Sequence, residues 1–359
     1  MEDLPVFENF TVKSYRRNYD VSFENLTNSL IDSVSEKSFL FIDSNVNREY
    51  PIFSDSFDSD KVFVIEATEE NKTLEYCQNI LNELVQKGIR KDNTIVAVGG
   101  GIVQDITAFT SSVLYRGIQW KFFPTTLLAQ ADSCIGSKSS INFGGAKNLL
   151  GTFYPPSQIY CCIELLKTLK QDDIKSGIGE ILHYYLVDGT PSIHNLMDSY
   201  EEILSDYTLI NPHICESLNI KKRMIERDEF DEKERRIFNY GHTFGHAIEA
   251  LTNYKISHGR AVTLGMDIAN YISASLGFIN WDLYDKIHKI IKKNIPSYTM
   301  SIAEVEEYFK ILSKDKKNVG SSITCILLND VGDAEVKILH ETDHLKYLVI
   351  EYFNGERQI

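Results

Sequence analysis

Nowhere does this sequence run for the roughly 20 consecutive apolar residues that a membrane span needs. Its first ten residues, MEDLPVFENF, are acidic and lack the apolar core of a secretion signal. Together these absences give the expectation of a cytoplasmic protein that does not enter membranes. Cysteines are few: Cys77, Cys134, Cys161, Cys162, Cys215 and Cys325, with no C-x-x-C pair among them. A disulfide framework is not expected in such a chain, and the adjacent Cys161 and Cys162 sit in an apolar run that reads as core. Positive charge is also short. Lys and Arg number 37 against 51 Asp and Glu, and the net charge of −14 argues against a nucleic-acid surface. There is no internal repeat and no low-complexity segment.

What is present is the composition of a globular protein, 43% hydrophobic and 25% charged, over 359 residues. That length suits one large domain or two ordinary ones. The most informative stretch runs from Val96 to Tyr154. The apolar run Thr94 to Val98 reads as a buried parallel strand. Gly99, Gly100 and Gly101 follow, and then a helical pattern with Ile102, Ile106, Phe109 and Val113 on one face. A strand that breaks into glycines and enters a helix outlines a phosphate or dinucleotide site. The backbone can approach the ligand closely, and the free N–H groups of the helix start face anionic oxygens. The G-x-G-x-x-G fingerprint is absent as written, and a plain tight turn gives the same local pattern. The stretch then collects Thr125, Thr126, Asp132, Lys138, Asn142, Lys147 and Asn148 among glycines and serines. These side chains are costly to leave in a core and suit an oxygen-rich anionic ligand. In an acidic protein, lysines that hold a phosphate must be concentrated locally, as they are here.

The chain before this stretch reads as a strand at Tyr19–Phe23, a helix at Leu26–Val34, a strand at Ser38–Asp43, a strand at Lys61–Ile65 and a helix at Thr73–Gln86. Alternation of strands and helices gives an α/β domain with a parallel sheet, ending near Tyr154-Pro155-Pro156. Asp43 and Asn45 lie at the end of the second strand, where open α/β sheets bind ligands, though on sequence alone a turn or helix cap is the favoured reading. Beyond residue 156 helical periods dominate, over 172–186, 192–206, 212–227, 240–253, 257–276, 281–293 and 301–313. A late hairpin is expected from Ser322–Leu328 and Ala334–Ile338. The expectation is an α/β fold with a Rossmann-like domain over 1–155 and a mostly helical domain over 156–359.

His242 and His246 stand four residues apart, so on a helix both imidazoles share one face. They could grip one metal, divide into a ligand and another role, or be satisfied core histidines. His258 lies just ahead of another apolar helix. Glu180 interrupts an apolar helix flanked by small residues, and a carboxylate placed there needs a partner. Two neutral imidazoles and one carboxylate, with further positions open to substrate, make a catalytic Zn²⁺ site.

The sequence resembles the sugar phosphate cyclases, the family that includes 3-dehydroquinate synthase. The matching residues are Gly99 to Gly101, Asp105, Arg116-Gly117, Pro124 to Ser133 (PTTLLAQADS), Lys138, Asn142 and Lys147-Asn148. Further matches are G-x-x-E at Glu180, G-H-T-x-G-H at His242 and His246, H-G-x-A-V at His258, and D-K-K at Asp315 to Lys317. The resemblance covers nearly all the chain and implies a dehydroquinate synthase-like fold, bound NAD, a divalent metal (Zn²⁺ or Co²⁺) and a homodimer. It implies Glu180, His242 and His258 as metal ligands, with His246 as a pocket acid–base group. It implies cofactor contacts at Asp43, Asn45, Glu69, Lys72, Gly99, Gly100, Gly101, Asp105, Thr125, Thr126, Lys147 and Thr168. For the substrate it implies Asp132 on a hydroxyl, and Lys138, Asn148, Asn239, Lys316 and Arg116 (reaching from a neighbouring subunit) on the phosphate. Lys221 and Arg235 fall to the carboxylate.

Three positions depart from the family pattern. His183 stands where a lysine is usual, Ser139 to Phe143 (SSINF) replaces T-G-V-N-H, and Arg48 replaces a frequent His. His183 is therefore also a candidate pocket residue. Retention of Arg235, Asn239 and His246 favours a carboxylated substrate, 3-deoxy-arabino-heptulosonate 7-phosphate, and the shikimate-pathway reaction. The alternatives are a cyclase for a neutral sugar phosphate such as sedoheptulose 7-phosphate, or an iron-type alcohol or glycerol dehydrogenase.

Overall fold

The structure is a computed structural model that describes residues 8–313, 322–340 and 343–355. It divides into two compact units, Met1–Lys170 with Ile214–Phe230, and Gln171–His213 with Asp231–Ile359.

The first unit is built on a seven-stranded sheet. Its strands are β1 (Phe10–Val12), β2 (Tyr19–Ser22), β3 (Ser38–Asp43), β4 (Val62–Ile65), β5 (Thr94–Gly99), β6 (Gln119–Pro124) and β9 (Gln158–Tyr160). Their order is β1-β2-β9-β6-β5-β3-β4, and every neighbouring pair is parallel except β1 with β2. The remaining strands of this unit, β7 (Lys138–Phe143) and β8 (Ala146–Phe153), form a separate antiparallel hairpin. Its helices are α1 (Leu26–Ser33), α2 (Ser44–Glu49), α3 (Ile52–Asp55), α4 (Leu74–Gln86) and α5 (Gly101–Val113).

Sequence explains which strands are central. In β3 (SFLFID) and β5 (TIVAVG) nearly every residue is buried, as in a strand covered on both faces, whereas β4 at the edge alternates exposed and buried. On one face Leu40, Ile42, Val96, Val98 and Phe123 pack with Phe53, Tyr160 and Leu165. Tyr160 and Phe123 stack with ring centroids 4.5 Å apart. The C-terminal ends of β3, β5 and β6 carry Asp43, Gly99 and Pro124, so the candidate cofactor residues Asp43, Gly99 to Gly101, Thr125 and Thr126 lie at one edge of the sheet. Strands β6 and β9 and the β7–β8 hairpin are additions to the expected elements. The expected boundary at residue 155 precedes β9, which pairs with β2 and β6.

The second unit is helical, with one hairpin. Its helices are α6 (Gln171–Asp188), α7 (Ser192–Asp198), α8 (Tyr200–Ser205), α10 (His242–Leu251), α11 (His258–Ser275), α12 (Trp281–Ile291), α13 (Ile302–Ser313) and α14 (Asp343–Asn354). Helix α9 (Asn211–Ile225) begins in this unit, and from Ile214 it belongs to the first. Strands β10 (Ser322–Asp330) and β11 (Asp333–His340) form the hairpin expected from the sequence, with an irregular register at its turn. Among the described residues no helix is long and apolar enough to cross a membrane.

Glycines set how closely α6, α10 and α11 approach. A Cβ on Gly259 would lie 1.7 Å from the Ser176 carbonyl oxygen, and one on Gly179 would lie 2.0 Å from the Gly259 carbonyl oxygen. Helix α6 therefore meets the start of α11 backbone to backbone. Gly265 on α11 leaves the same kind of room for Gly241 and Gly245, where a Cβ would come within 2.1 Å of the Gly241 carbonyl oxygen. Gly259→Ala is expected to force these helices apart and lower stability by about 1–3 kcal/mol. Urea unfolding would check it, and an unchanged midpoint would contradict the packing described.

Candidate active site

Glu180 sits in the middle of α6 with its side chain 2% exposed. His242 is the first residue of α10, and His258 the first residue of α11. The tight helix packing brings Glu180 Oε1 to 3.1 Å from His258 Nε2 and 3.6 Å from His242 Nε2. Glu180 Oε1 is buried and makes no hydrogen bond of good geometry among the described residues. Two ligand atoms about 2.1 Å from one ion at a tetrahedral angle stand roughly 3.4 Å apart. The two distances from Glu180 Oε1 bracket that spacing.

The far sides of both rings are engaged. His242 Nδ1–H donates to the Tyr240 carbonyl at 3.2 Å, and His258 Nδ1–H donates to Glu249 Oε2 at 3.0 Å. A carbonyl and a carboxylate only accept, so in the neutral ring each Nδ1 carries the proton and Nε2 is the nitrogen that can meet a ligand. The residues present therefore fit a divalent ion. His246, one turn on from His242, is exposed, and its ring offers a nitrogen within 4.8 Å of those of His242 and His258. A second ligand set, of three histidines, thus shares this place.

Burial, with the neighbouring imidazoles of His183, His246 and His258, pushes His242 well below the ordinary histidine range. Burial also works against charge on His258, but the facing carboxylates of Glu180 and Glu249 outweigh that and raise it well above the ordinary range. His183, three residues after Glu180, is fully buried. Its ring meets Tyr184, Phe238 and His242 edge to face, with centroids 4.8, 5.8 and 5.1 Å away. Arg235 is buried in the turn Glu234–Asn239, and Asn239 donates to the Arg236 carbonyl at 3.0 Å.

The first unit holds a different cluster. Lys72 is buried, and its ammonium donates to Asn148 Oδ1 at 2.7 Å and to Asp105 Oδ2 at 3.2 Å. Asp105 also accepts the Ser140 backbone N–H at 2.9 Å. Burial raises the Asp105 carboxyl above its ordinary value, against the pull of Lys72 and Ser140. Asn142 donates to Glu69 Oε1 at 2.8 Å, and Lys147 lies 3.8 Å from the same oxygen. Six residues read from separate parts of the sequence, Glu69, Lys72, Asp105, Asn142, Lys147 and Asn148, thus form one network. Beside it, Lys221 Nζ donates at 2.7 Å to both the Asp132 carboxylate and the Asp132 carbonyl. Asp132 itself lies in a single π-helical turn, Ala129–Ser133, an irregularity often found at functional sites.

The glycine turn behaves as a cradle. A Cβ on Gly99 would strike Val103 at 2.6 Å and one on Gly100 would press Thr126 at 3.1 Å, whereas one on Gly101 would meet nothing within 4 Å. The first two glycines serve packing. The third leaves open space at the start of a 13-residue helix, where backbone N–H groups attract anionic oxygens. Thr125 N–H donates to the Gly99 carbonyl at 3.0 Å, and Thr126 Oγ1 accepts the Ala129 N–H at 3.1 Å. Asp43 caps α2 through the Asn45 and Val46 N–H groups, and Asn45 Oδ1 accepts from Arg48 at 2.9 Å. Lys138 is exposed at the head of β7, Thr168 is exposed after the turn Ile163–Leu166, and Arg116 is exposed with φ of 59°. Lys316 lies outside the described residues.

Two contacts were not foreseen from sequence: Glu249 on His258 and the Tyr240 carbonyl on His242. Glu249 follows His242 by seven residues, which puts both on one face of α10, but its partner His258 lies on another helix.

Family models for the 3-dehydroquinate synthase N-terminal and C-terminal regions match residues 62–176 and 177–318. The 3-dehydroquinate synthase of Dictyoglomus thermophilum is 35% identical over 343 residues, covering 94% of this chain and 91% of that protein. This chain belongs to the 3-dehydroquinate synthase family. The dehydroquinate synthase-like fold also recurs in the crystal structure of 2-deoxy-scyllo-inosose synthase complexed with carbaglucose-6-phosphate, NAD⁺ and Co²⁺. That structure has a TM-score of 0.84 at 22% identity, covering 96% of this chain and all of that one. The 2-epi-5-epi-valiolone synthase of Streptomyces hygroscopicus subsp. jinggangensis, with NAD⁺ and Zn²⁺ bound, has a TM-score of 0.80 at 19% identity, covering 97% and 100%.

Zinc uptake by the metal-free protein at pH 7 is expected to release protons. His258, with its raised pKa, stays protonated to higher pH than an ordinary histidine, and the ion must displace that proton. Affinity should therefore rise with pH. Calorimetric titration in two buffers of different ionisation enthalpy reads this directly, and equal heats in both would contradict it.

Proposed function

We propose that this chain catalyses the 3-dehydroquinate synthase reaction, converting 3-deoxy-arabino-heptulosonate 7-phosphate to 3-dehydroquinate and inorganic phosphate in the shikimate pathway. The observation that carries the reading is the convergence of buried Glu180 on the Nε2 atoms of His242 and His258. The 35% identity to a named synthase over 94% of the chain supports it. The sugar phosphate cyclases named above share the fold at lower identity.

Bound NAD⁺ would take a hydride from one substrate hydroxyl and later return it, and a bound Zn²⁺ or Co²⁺ would polarise substrate hydroxyl oxygens. Glu180, His242 and His258 would hold the ion. Gly101 and the N-terminus of α5 would receive the cofactor's phosphates, while Glu69, Lys72, Asp105 and Lys147 would fix its sugar and base. Asp43, Asn45, Thr125, Thr126 and Thr168 complete the proposed cofactor set. Asp132, held by Lys221, would orient a substrate hydroxyl. His246, exposed beside the two ligand histidines, would hold and pass a proton at its ring nitrogen. Arg235 and Lys221 would bind the carboxylate. Lys138, Asn148, Asn239, Lys316 and, in a homodimer, the neighbouring subunit's copy of Arg116 would bind the phosphate until it leaves. The redox steps cancel, so no external reductant is consumed. We place the enzyme in the cytoplasm.

Purified protein with NAD⁺ and Zn²⁺ is expected to release phosphate from 3-deoxy-arabino-heptulosonate 7-phosphate and not from sedoheptulose 7-phosphate or glucose 6-phosphate. Turnover of a neutral sugar phosphate alone would overturn the assignment. Glu180→Gln is expected to abolish phosphate release while NAD⁺ binding persists, since the proposed cofactor residues belong to the other unit. Loss of NAD⁺ binding together with activity would contradict this division of roles.

A further inference from the structure

We infer that Glu249 is a positioning residue for the metal centre, presenting the His258 imidazole so that its Nε2 faces Glu180. The inference rests on the proposed metal site and assigns a role to a residue that does not touch the ion. Glu249 lies on α10, and its side chain is 13% exposed. Its Oε2 stands 3.0 Å from His258 Nδ1. His258 is the first residue of α11 and has no helical turn before it to constrain its ring. The carboxylate supplies that constraint. It fixes the proton on Nδ1, leaves Nε2 as a lone-pair donor, and through its charge makes that nitrogen a stronger ligand.

The same contact sets which nitrogen His258 turns towards Glu180. With Nδ1 committed to Glu249, His258 offers only Nε2, and that atom is 3.1 Å from Glu180 Oε1. His242 is committed in the same sense by the Tyr240 carbonyl, and its Nε2 is 3.6 Å from the same oxygen. In both rings the nitrogen that is left for an ion therefore faces Glu180 Oε1. One helix, α10, supplies the ligand His242 and, two turns later, the residue that sets the other ligand. The packing of Gly245 against Ala261 and Val262 holds α10 to α11, so the distance from Glu249 to His258 is fixed by backbone contact.

The test is metal affinity, measured by chelator competition with Zn²⁺ and by the visible spectrum of the Co²⁺ form. Glu249→Ala is expected to weaken Zn²⁺ binding about 10–100-fold, with Glu249→Gln between it and the parent because an amide oxygen still accepts from Nδ1. The Co²⁺ absorption should change in both. Circular dichroism of the metal-free variants should match the parent. A folded Glu249→Ala protein that binds Zn²⁺ with parental affinity and an unchanged Co²⁺ spectrum overturns the inference. If that variant does not fold, the same result in Glu249→Gln overturns it. Glu180→Gln serves as the reference. If the parent protein takes up no ion, or Glu180→Gln binds as tightly as the parent, the metal site itself falls and this inference with it. Loss of affinity in Glu180→Gln alone removes only the role of Glu249.

Discussion

The metal-site geometry depends on one constraint, the burial of the Glu180 carboxylate where three helices touch. An ionised carboxylate removed from water is costly unless opposite charge or hydrogen bonds receive it. Here the receivers are two imidazole nitrogens at the first residues of α10 and α11. They reach it only because glycine contacts let the helices approach backbone to backbone. At Gly241 a second demand is added, since its φ of 77° starts α10 in a conformation that suits glycine. The carboxylates of Glu180 and Glu249, facing His258 from either side of its ring, drive that histidine upward.

The first unit solves a related problem by other means. Lys72 is buried, and a buried ammonium is tolerable only when its donors are met. Asn148 and Asp105 meet it from β8 and α5, while Ser140 and Asn142 on β7 bind Asp105 and Glu69 in turn. The β7–β8 hairpin thus ties the residues around Glu69 to the helix that follows the glycine turn. Charged groups held in this way are pre-positioned, so a ligand is not required to order them.

Local features were legible where local physics decides them. The strand–glycine–helix order at Thr94 to Val113 was readable because periodicity and missing side chains both lie in the sequence. Glu180 was conspicuous because a carboxylate in an apolar helix demands a partner. The hairpin was hidden. In Lys138 to Phe143 only Ser139 and Ile141 are buried, and polar residues conceal the period of two. Strand β9 is only three residues long, and β6 (QWKFFP) lies between the Arg116-Gly117 and Pro124 to Ser133 motifs. The Lys221–Asp132 pair joins positions 89 apart, and the Glu249–His258 contact depends on where α11 begins, which no window on α10 reveals. Asp43 shows the opposite case. Its plain capping role is visible in the structure, and any contact with a cofactor is additional to it.

The histidine at position 183 follows from the same packing. Three residues beyond Glu180 on α6, it occupies the same helix face, where the family pattern has a lysine. In this chain the position is fully buried among Tyr184, Phe238 and Tyr240. A lysine there would need a route to solvent for its ammonium or would compete for the Glu180 carboxylate. A flat imidazole fits between the rings and is cheaper to bury when neutral. The exchange gives up a fixed positive charge next to the metal ligands and gains aromatic packing behind them. Fixed positive charge in this unit then rests more heavily on residues such as Arg235, which is buried.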